Sequence, residues 1–182
     1  MRIDHIAYRV TDKDKAAQFF LEAFGYRVAD EFEINFDDDT CAKCYALAPA
    51  ERMNNLETFK QWRMPLPDGV YHMPPEIFVS EGSDGSIVAD WVAARGGVGG
   101  VHHIAYQVED VAVTMAEWKE KGWAEFTTEE PISSDGLVQC FTKPHAITGI
   151  IYEFIYRTKK GFNIDNVKDL MTSTMNAEDK SS

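Results

Sequence analysis

The sequence predicts an α+β fold built from two βαβββ modules that pair as half-barrels around one cavity. Three observations carry this reading. Residues 3–10, IDHIAYRV, return as residues 101–108, VHHIAYQV, at an offset of 98. His5, Ile6, Ala7, Tyr8 and Val10 thereby match His103, Ile104, Ala105, Tyr106 and Val108. Each copy is followed by apolar residues at helical spacing that stop at a glycine, Gly25 or Gly122, and then by short β-type runs.

The elements follow in order. After the first strand, Thr11 to Phe24 reads as a helix, with Thr11 or Asp12 as N-cap and Gly25 past its C-terminus. Strands are expected near 26–35, 40–48 and 75–80. Asp37-Asp38-Asp39 is a solvated turn, because it lacks the glycine and distal glutamate of a calcium loop. Residues 1–82 make the first module, with an insertion at 49–74 that holds a short helix, 54–62, and a proline-rich loop. Residues 83–100 link the modules through a helix from Ser86 to Arg95, ended by Gly96-Gly97. The second module, 101–160, has a helix from Asp110 to Lys121 and strands near 123–129, 136–143 and 149–157. Residues 161–182 supply a last amphipathic helix, 163–175, and a frayed tail.

Composition narrows the function. The 182 residues carry 18 Lys and Arg against 30 Asp and Glu, a net charge of −12. So acidic a chain disfavours the phosphate contacts of nucleic-acid binding and docking on an anionic membrane. No apolar run approaches the roughly 20 residues of a membrane helix, and no signal peptide is visible, so the expected location is the cytoplasm. Cys41, Cys44 and Cys140 suit a reducing compartment. Cys41 and Cys44 lack the second pair a zinc ribbon needs and read as strand residues.

The repeated strand also carries chemistry. Side chains alternate along a strand, so Ile3, His5, Ala7 and Arg9 share one face and Ile6, Tyr8 and Val10 the other. The apolar face should pack on the module's helix, leaving His5, and by repetition His103, facing the cavity. His102 then points the other way, as a surface or edge histidine. Glu153 is the one acid in the apolar strand 150–156, where a buried carboxylate needs a cation or a proton. Glu76, on the closing strand of the first module, sits in the matching place. Two histidines with one or two carboxylates suit a single divalent metal: Fe(II), Ni, Co, Mn or Zn. With three ligands the metal keeps open positions for a chelating substrate and dioxygen. With Glu76 as a fourth, Lewis-acid and proton-transfer chemistry on a carbonyl is favoured, with a carboxylate as base.

These motifs resemble the vicinal oxygen chelate superfamily, which includes glyoxalase I, methylmalonyl-CoA epimerase and extradiol and 2-oxo acid dioxygenases. The second half looks most like the C-terminal half of 4-hydroxyphenylpyruvate dioxygenase. The matching pieces are residues 100–105 (GVHHIA), 138–144 (VQCFTKP), 152–157 (YEFIYR) and 161–167 (GFNIDNV). The resemblance implies a metal, most readily Fe(II), held by His5, His103 and Glu153. It implies substrate contacts from Gln139 and Phe141 and a closing tail helix bearing Asn166. The family reaction is oxidative decarboxylation of a 2-oxo acid that chelates the metal. A stacking phenylalanine of that family's tail helix is replaced here by Val167, and Ser80-Glu81-Gly82 stands where that family has Asn-Glu-Pro. Aligned on Ser80-Glu81-Gly82, it is Phe78 and not Glu76 that takes the place of the fourth ligand of glyoxalase I and the epimerase.

Three functions remain. The first is a non-haem Fe(II) dioxygenase acting on a small 2-oxo acid. The second is a glyoxalase- or epimerase-like lyase or isomerase, for which Glu76 speaks. The third is a non-catalytic small-molecule binder, against which the two histidines and Glu153 stand. Superfamily members often pair modules across dimers, so a homodimer is expected by analogy.

Overall fold

The two copies of the repeated strand lie side by side. β1 (Arg2–Val10) runs antiparallel to β5 (Gly100–Gln107), and this seam joins the halves of one sheet. The computed structural model describes residues 1–49, 75–134 and 136–157. The expected insertion helix, the proline-rich loop and the C-terminal helix with Asn166 lie outside the described residues.

The first half contributes α1 (Lys13–Phe24), β2 (Tyr26–Asn35), β3 (Cys41–Pro49) and β4 (Glu76–Gly82). The second contributes α3 (Val111–Glu120), β6 (Ile132–Ser134), β7 (Leu137–Phe141) and β8 (Ile151–Arg157). Between them lies α2 (Ile87–Ala93). The eight strands run in the order β2-β3-β4-β1-β5-β8-β7-β6. β1 pairs parallel with β4, and β5 pairs parallel with β8, so the same pattern appears on either side of the seam.

The helices form where local chemistry directs them. The Asp12 carboxylate caps α1 by accepting from the Lys15 amide at 2.9 Å, and Gly25 ends it with a left-handed φ of 70°. Asp110 caps α3 in the same way, accepting from the Val113 amide at 3.0 Å. Ala17, Phe20 and Leu21 of α1 pack on Ile6, Tyr8, Leu47, Ile77 and Val79. Val111, Met115 and Trp118 of α3 pack on Tyr106, Cys140 and Phe154. Both helices therefore cover the apolar face of the repeated strand and leave the histidine face open inside the sheet. α2 covers one end of that inner face, where Val88 meets Ile34, Ala42 and Cys44.

One expected strand is displaced. Residues 123–129 form only a single bridge, Phe126 to Thr142, and the pairing strand is Ile132–Ser134. Phe126 is drawn into the core under α3, and the outer hairpin is set instead by the turn at Gly136, whose φ is 83°. A glycine with positive φ is what a tight hairpin requires, and Gly136 thereby makes residues 132–134 the partner of β7. Burial pushes the Cys44 thiol up to about 11 and that of Cys140 up to about 12, as inert strand cysteines require.

Gly82 ends β4 against the start of α2. A methyl group there would lie 2.1 Å from the Ser86 hydroxyl that caps α2 and 2.7 Å from the Ala89 amide. Gly82→Ala is expected to destabilise the protein by about 1–3 kcal/mol through overpacking. Denaturant unfolding monitored by circular dichroism measures this, and an unchanged midpoint would contradict the tight approach.

Candidate metal centre

The seam places the two duplicated histidines diagonally across from one another. In register, His5 faces Ala105 and His103 faces Ala7, so each imidazole has a methyl group as its cross-strand neighbour and room to lean over it. The next strand sets Glu153 opposite Ala105. The result is a tight cluster: His5 Nε2 lies 3.2 Å from His103 Nε2, and Glu153 Oε2 lies 3.3 Å and 3.5 Å from the two nitrogens. All three residues are buried.

Each ring is turned by the residue that precedes it. Asp4 Oδ1 lies 2.9 Å from His5 Nδ1, and His102 Nδ1 lies 2.9 Å from His103 Nδ1. Arg157, at the end of β8, donates to Asp4 at 2.6 Å. With both Nδ1 atoms engaged outward, both Nε2 atoms point at one place.

The electrostatics of the two rings differ. Burial alone would lower the His5 pKa, but Glu153 and Asp4 together raise it above the usual value. His103 is held well below the usual value by burial, with the positive charges of His5 and Arg9 adding to it. Asp4 resists the upward push of burial and is lowered by His5 and Arg157. Glu153 Oε2 is buried, with the two imidazole nitrogens at 3.3 Å and 3.5 Å and no well-formed hydrogen bond among the described residues. A carboxylate so placed calls for a cation, and two imidazole nitrogens with one carboxylate oxygen within 4.8 Å of one another suit a divalent metal.

The remaining expected site residues fall as follows. Phe78 lies edge-on to His5 at 4.8 Å between ring centres. It pairs with Ala7 as Glu153 pairs with Ala105, so Phe78 is the counterpart of Glu153 under the repeat. This corrects the reading that matched Glu76 to Glu153. Glu76 pairs with His5 at the half-buried start of β4, two residues earlier on the same face, and stands outside the cluster. A slip of two residues leaves the strand's facing unchanged, which is why the sequence pattern alone did not separate them. Gln139 and Phe141 are buried on β7 and pair with Ile155 and Glu153, on the face of the cluster. The Phe141 ring centre lies 6.0 Å from that of His103.

His102 is a second correction. It is not at the surface but 5% exposed, packed at 5.6 Å against Trp91. Arg9 is also buried, with its guanidinium 5.7 Å from the Trp91 ring. Asp4 and His102 were overlooked as partners of the site, although the offset of 98 that relates the histidines relates these two as well.

A model of the glyoxalase/bleomycin resistance protein/dioxygenase superfamily matches residues 4–141. The chain belongs to that superfamily. Its fold is the vicinal oxygen chelate fold. The structure is similar to that of a methylmalonyl-CoA epimerase, at 27% identity over 87% of this chain and 97% of that one, with a TM-score of 0.61. It is also similar to a variant of 4-hydroxymandelate synthase from Streptomyces coelicolor, at 18% identity and a TM-score of 0.72. That match covers 99% of this chain and 54% of the synthase, so the chain spans about half the synthase's length. An epimerase variant from the same organism, in complex with 2-nitronate-propionyl-CoA, matches at 21% identity over 87% of this chain and 99% of that one, with a TM-score of 0.58. No curated protein matches the chain significantly. Among the described residues no helix is long and apolar enough to cross a membrane.

Replacing His103 or Glu153 by Ala is expected to abolish tight metal binding while the far-ultraviolet circular dichroism stays that of the parent. Metal content of the purified variants after dialysis checks this. Retention of the parent's metal content would remove these residues from the centre.

Proposed function

We propose that the chain is a non-haem Fe(II) dioxygenase acting on a small 2-oxo acid, with His5, His103 and Glu153 as the metal ligands. The observation that carries this reading is Phe78 in the place related to Glu153 by the repeat. A phenyl ring cannot ligate, so three protein ligands remain among the described residues. When bound, the metal supplies a Lewis-acid centre with open positions suited to a chelating 2-oxo acid and to dioxygen.

The chain's own residues shape what happens there. Phe78 and Phe141 line the cluster with apolar rings and exclude water. Gln139, buried on the same face, offers an amide to a polar end of the substrate. Asp4 and His102 keep the two imidazoles oriented. The overall reaction balances without an outside reductant. Loss of carbon dioxide supplies two electrons to dioxygen and a second oxidation of the same substrate supplies two more. One oxygen atom ends in the new carboxylate and the other at the second oxidised position.

A second reading, an epimerase- or glyoxalase-like isomerase or lyase, is favoured by the 27% identity to an epimerase that this chain covers almost completely. In that reading Glu76, in register with His5 on the same face, is the base that moves a proton beside a carbonyl.

Oxygen uptake separates the two. Protein reconstituted with Fe(II) and given 2-oxo acids under air is expected to consume oxygen and release one carbon dioxide per oxygen. Solvent-deuterium exchange at the carbon beside the carbonyl, without oxygen uptake, would support the isomerase and overturn the dioxygenase. Phe78→Glu, which adds a second carboxylate as a fourth ligand, is expected to strengthen metal retention and suppress oxygen uptake. An uptake rate equal to the parent's would show that Phe78 does not occupy a ligand position.

A further inference from the structure

Asp4 and His102 are not ordinary strand residues. Along the seam, Ile3 pairs with Tyr106 and His5 with Ala105, leaving Asp4 unmatched on β1. Ala7 pairs with His103 and Tyr8 with Val101, leaving His102 unmatched on β5. Each is the extra residue of a β-bulge, and the repeat relates the two bulges. In a bulge two consecutive residues oppose one, so the usual alternation of faces lapses. Both side chains accordingly reach the histidine that follows them, at 2.9 Å in each case.

The partners supplied by the two bulges differ. We infer that His102 is a positioning residue for His103: its Nδ1 accepts the hydrogen bond from His103 Nδ1–H and so fixes the tautomer that leaves His103 Nε2 free to ligate. This inference rests on the metal-centre reading. Only one proton fits between two imidazole nitrogens 2.9 Å apart. His103 Nε2 faces His5 Nε2 and Glu153, and a ligating nitrogen carries no proton. The shared proton therefore belongs to His103 Nδ1, and His102 Nδ1 is the acceptor. The proton of His102 then resides on Nε2, which is buried without a hydrogen-bond partner among the described residues. The ring meets the Trp91 indole at an interplanar angle of 77°, a contact suited to an N–H directed at an aromatic face. Arg95 holds the indole, its guanidinium 3.6 Å from the ring centre. The chain of support thus runs from Trp91 through His102 to His103. The counterpart of His102 in the first module is an anion, Asp4. His5 is polarised by a carboxylate and His103 by a neutral ring, so two ligands of identical type are unequal donors.

The test uses the full chain and zinc(II) as probe. Competition with a chromophoric chelator is expected to show 10–100-fold weaker zinc binding for His102→Ala, as for other partners of metal-bound histidines. His102→Gln, whose amide oxygen accepts at a similar position, should recover most of that loss. Long-range proton–nitrogen NMR of the metal-free parent should show His103 as the Nδ1–H tautomer and His102 as the Nε2–H tautomer. Zinc affinity within twofold of the parent in His102→Ala, or equal losses in the Ala and Gln variants, would overturn the positioning role. So would the reverse tautomer at His103. A parent that shows these tautomers but takes up no zinc would sink the metal centre alone and leave the hydrogen bond standing.

Discussion

A buried carboxylate oxygen with no well-formed hydrogen bond among the described residues governs this structure. Glu153 sits on β8 between apolar neighbours, and its Oε2 lies against the two converging Nε2 atoms. Leaving such a charge uncompensated costs several kcal/mol, on the scale of a domain's whole net stability. The chain keeps it only because positive charge can be supplied at that point, by a proton on His5 or by a metal ion. The raised pKa of His5 and the lowered pKa of His103 express the same competition. One ring accepts the proton readily, and the second is kept neutral. A metal would replace that proton and satisfy all three groups together.

Duplication explains how the groups meet. Antiparallel pairing of two copies of one strand puts equivalent residues in diagonal positions across a local two-fold axis, with Ala7 and Ala105 making room for the opposite imidazole. The symmetry then fails at the points where chemistry is needed. Glu153 is matched by Phe78, His102 by Asp4 and Gln107 by Arg9. A fully symmetric cluster would bring together four ligating side chains with two identical partners. Among the described residues it brings together two imidazoles and one carboxylate, with unequal partners and an aromatic wall. The superfamily's range of reactions is understandable on this basis, since each substitution changes the site without disturbing the seam that holds it.

Much of this was legible in the sequence, for physical reasons that differ by element. The three described helices were readable because caps are local: Asp12, Ser86 and Asp110 each accept from a backbone amide three residues on. His5, His103 and Glu153 were readable because the repeat fixes register across the seam and because a lone acid in an apolar strand is conspicuous. The strand at 123–129 was misplaced because its aromatic and β-branched residues, Trp123, Phe126, Thr127 and Thr128, have strand propensity, while Trp123 and Phe126 pack against Trp118 and under α3 instead. Gly136, whose positive φ sets the hairpin, held the better information. The choice between Glu76 and Phe78 stays open in the sequence because pattern reading cannot resolve a shift of two residues along a strand.

The misreading of His102 has a more general cause. Alternation of faces holds only while strands pair one to one, and a bulge suspends it locally. Nothing in the pattern VHHIAYQV marks His102 as the extra residue, because a bulge is a property of two strands and not of one. The repeat nevertheless carried a usable constraint. Asp4 and His102 occupy equivalent positions, both polar, both directly before a histidine aimed at the centre. If alternation held, each would project into the apolar face under α1 or α3, where a carboxylate and an imidazole would lie buried against Leu47, Ile77, Cys140 or Phe154. Two such penalties at equivalent positions are hard to reconcile with a stable fold. Departure from alternation is the economical solution, and it turns both side chains toward the imidazoles, where they have work to do.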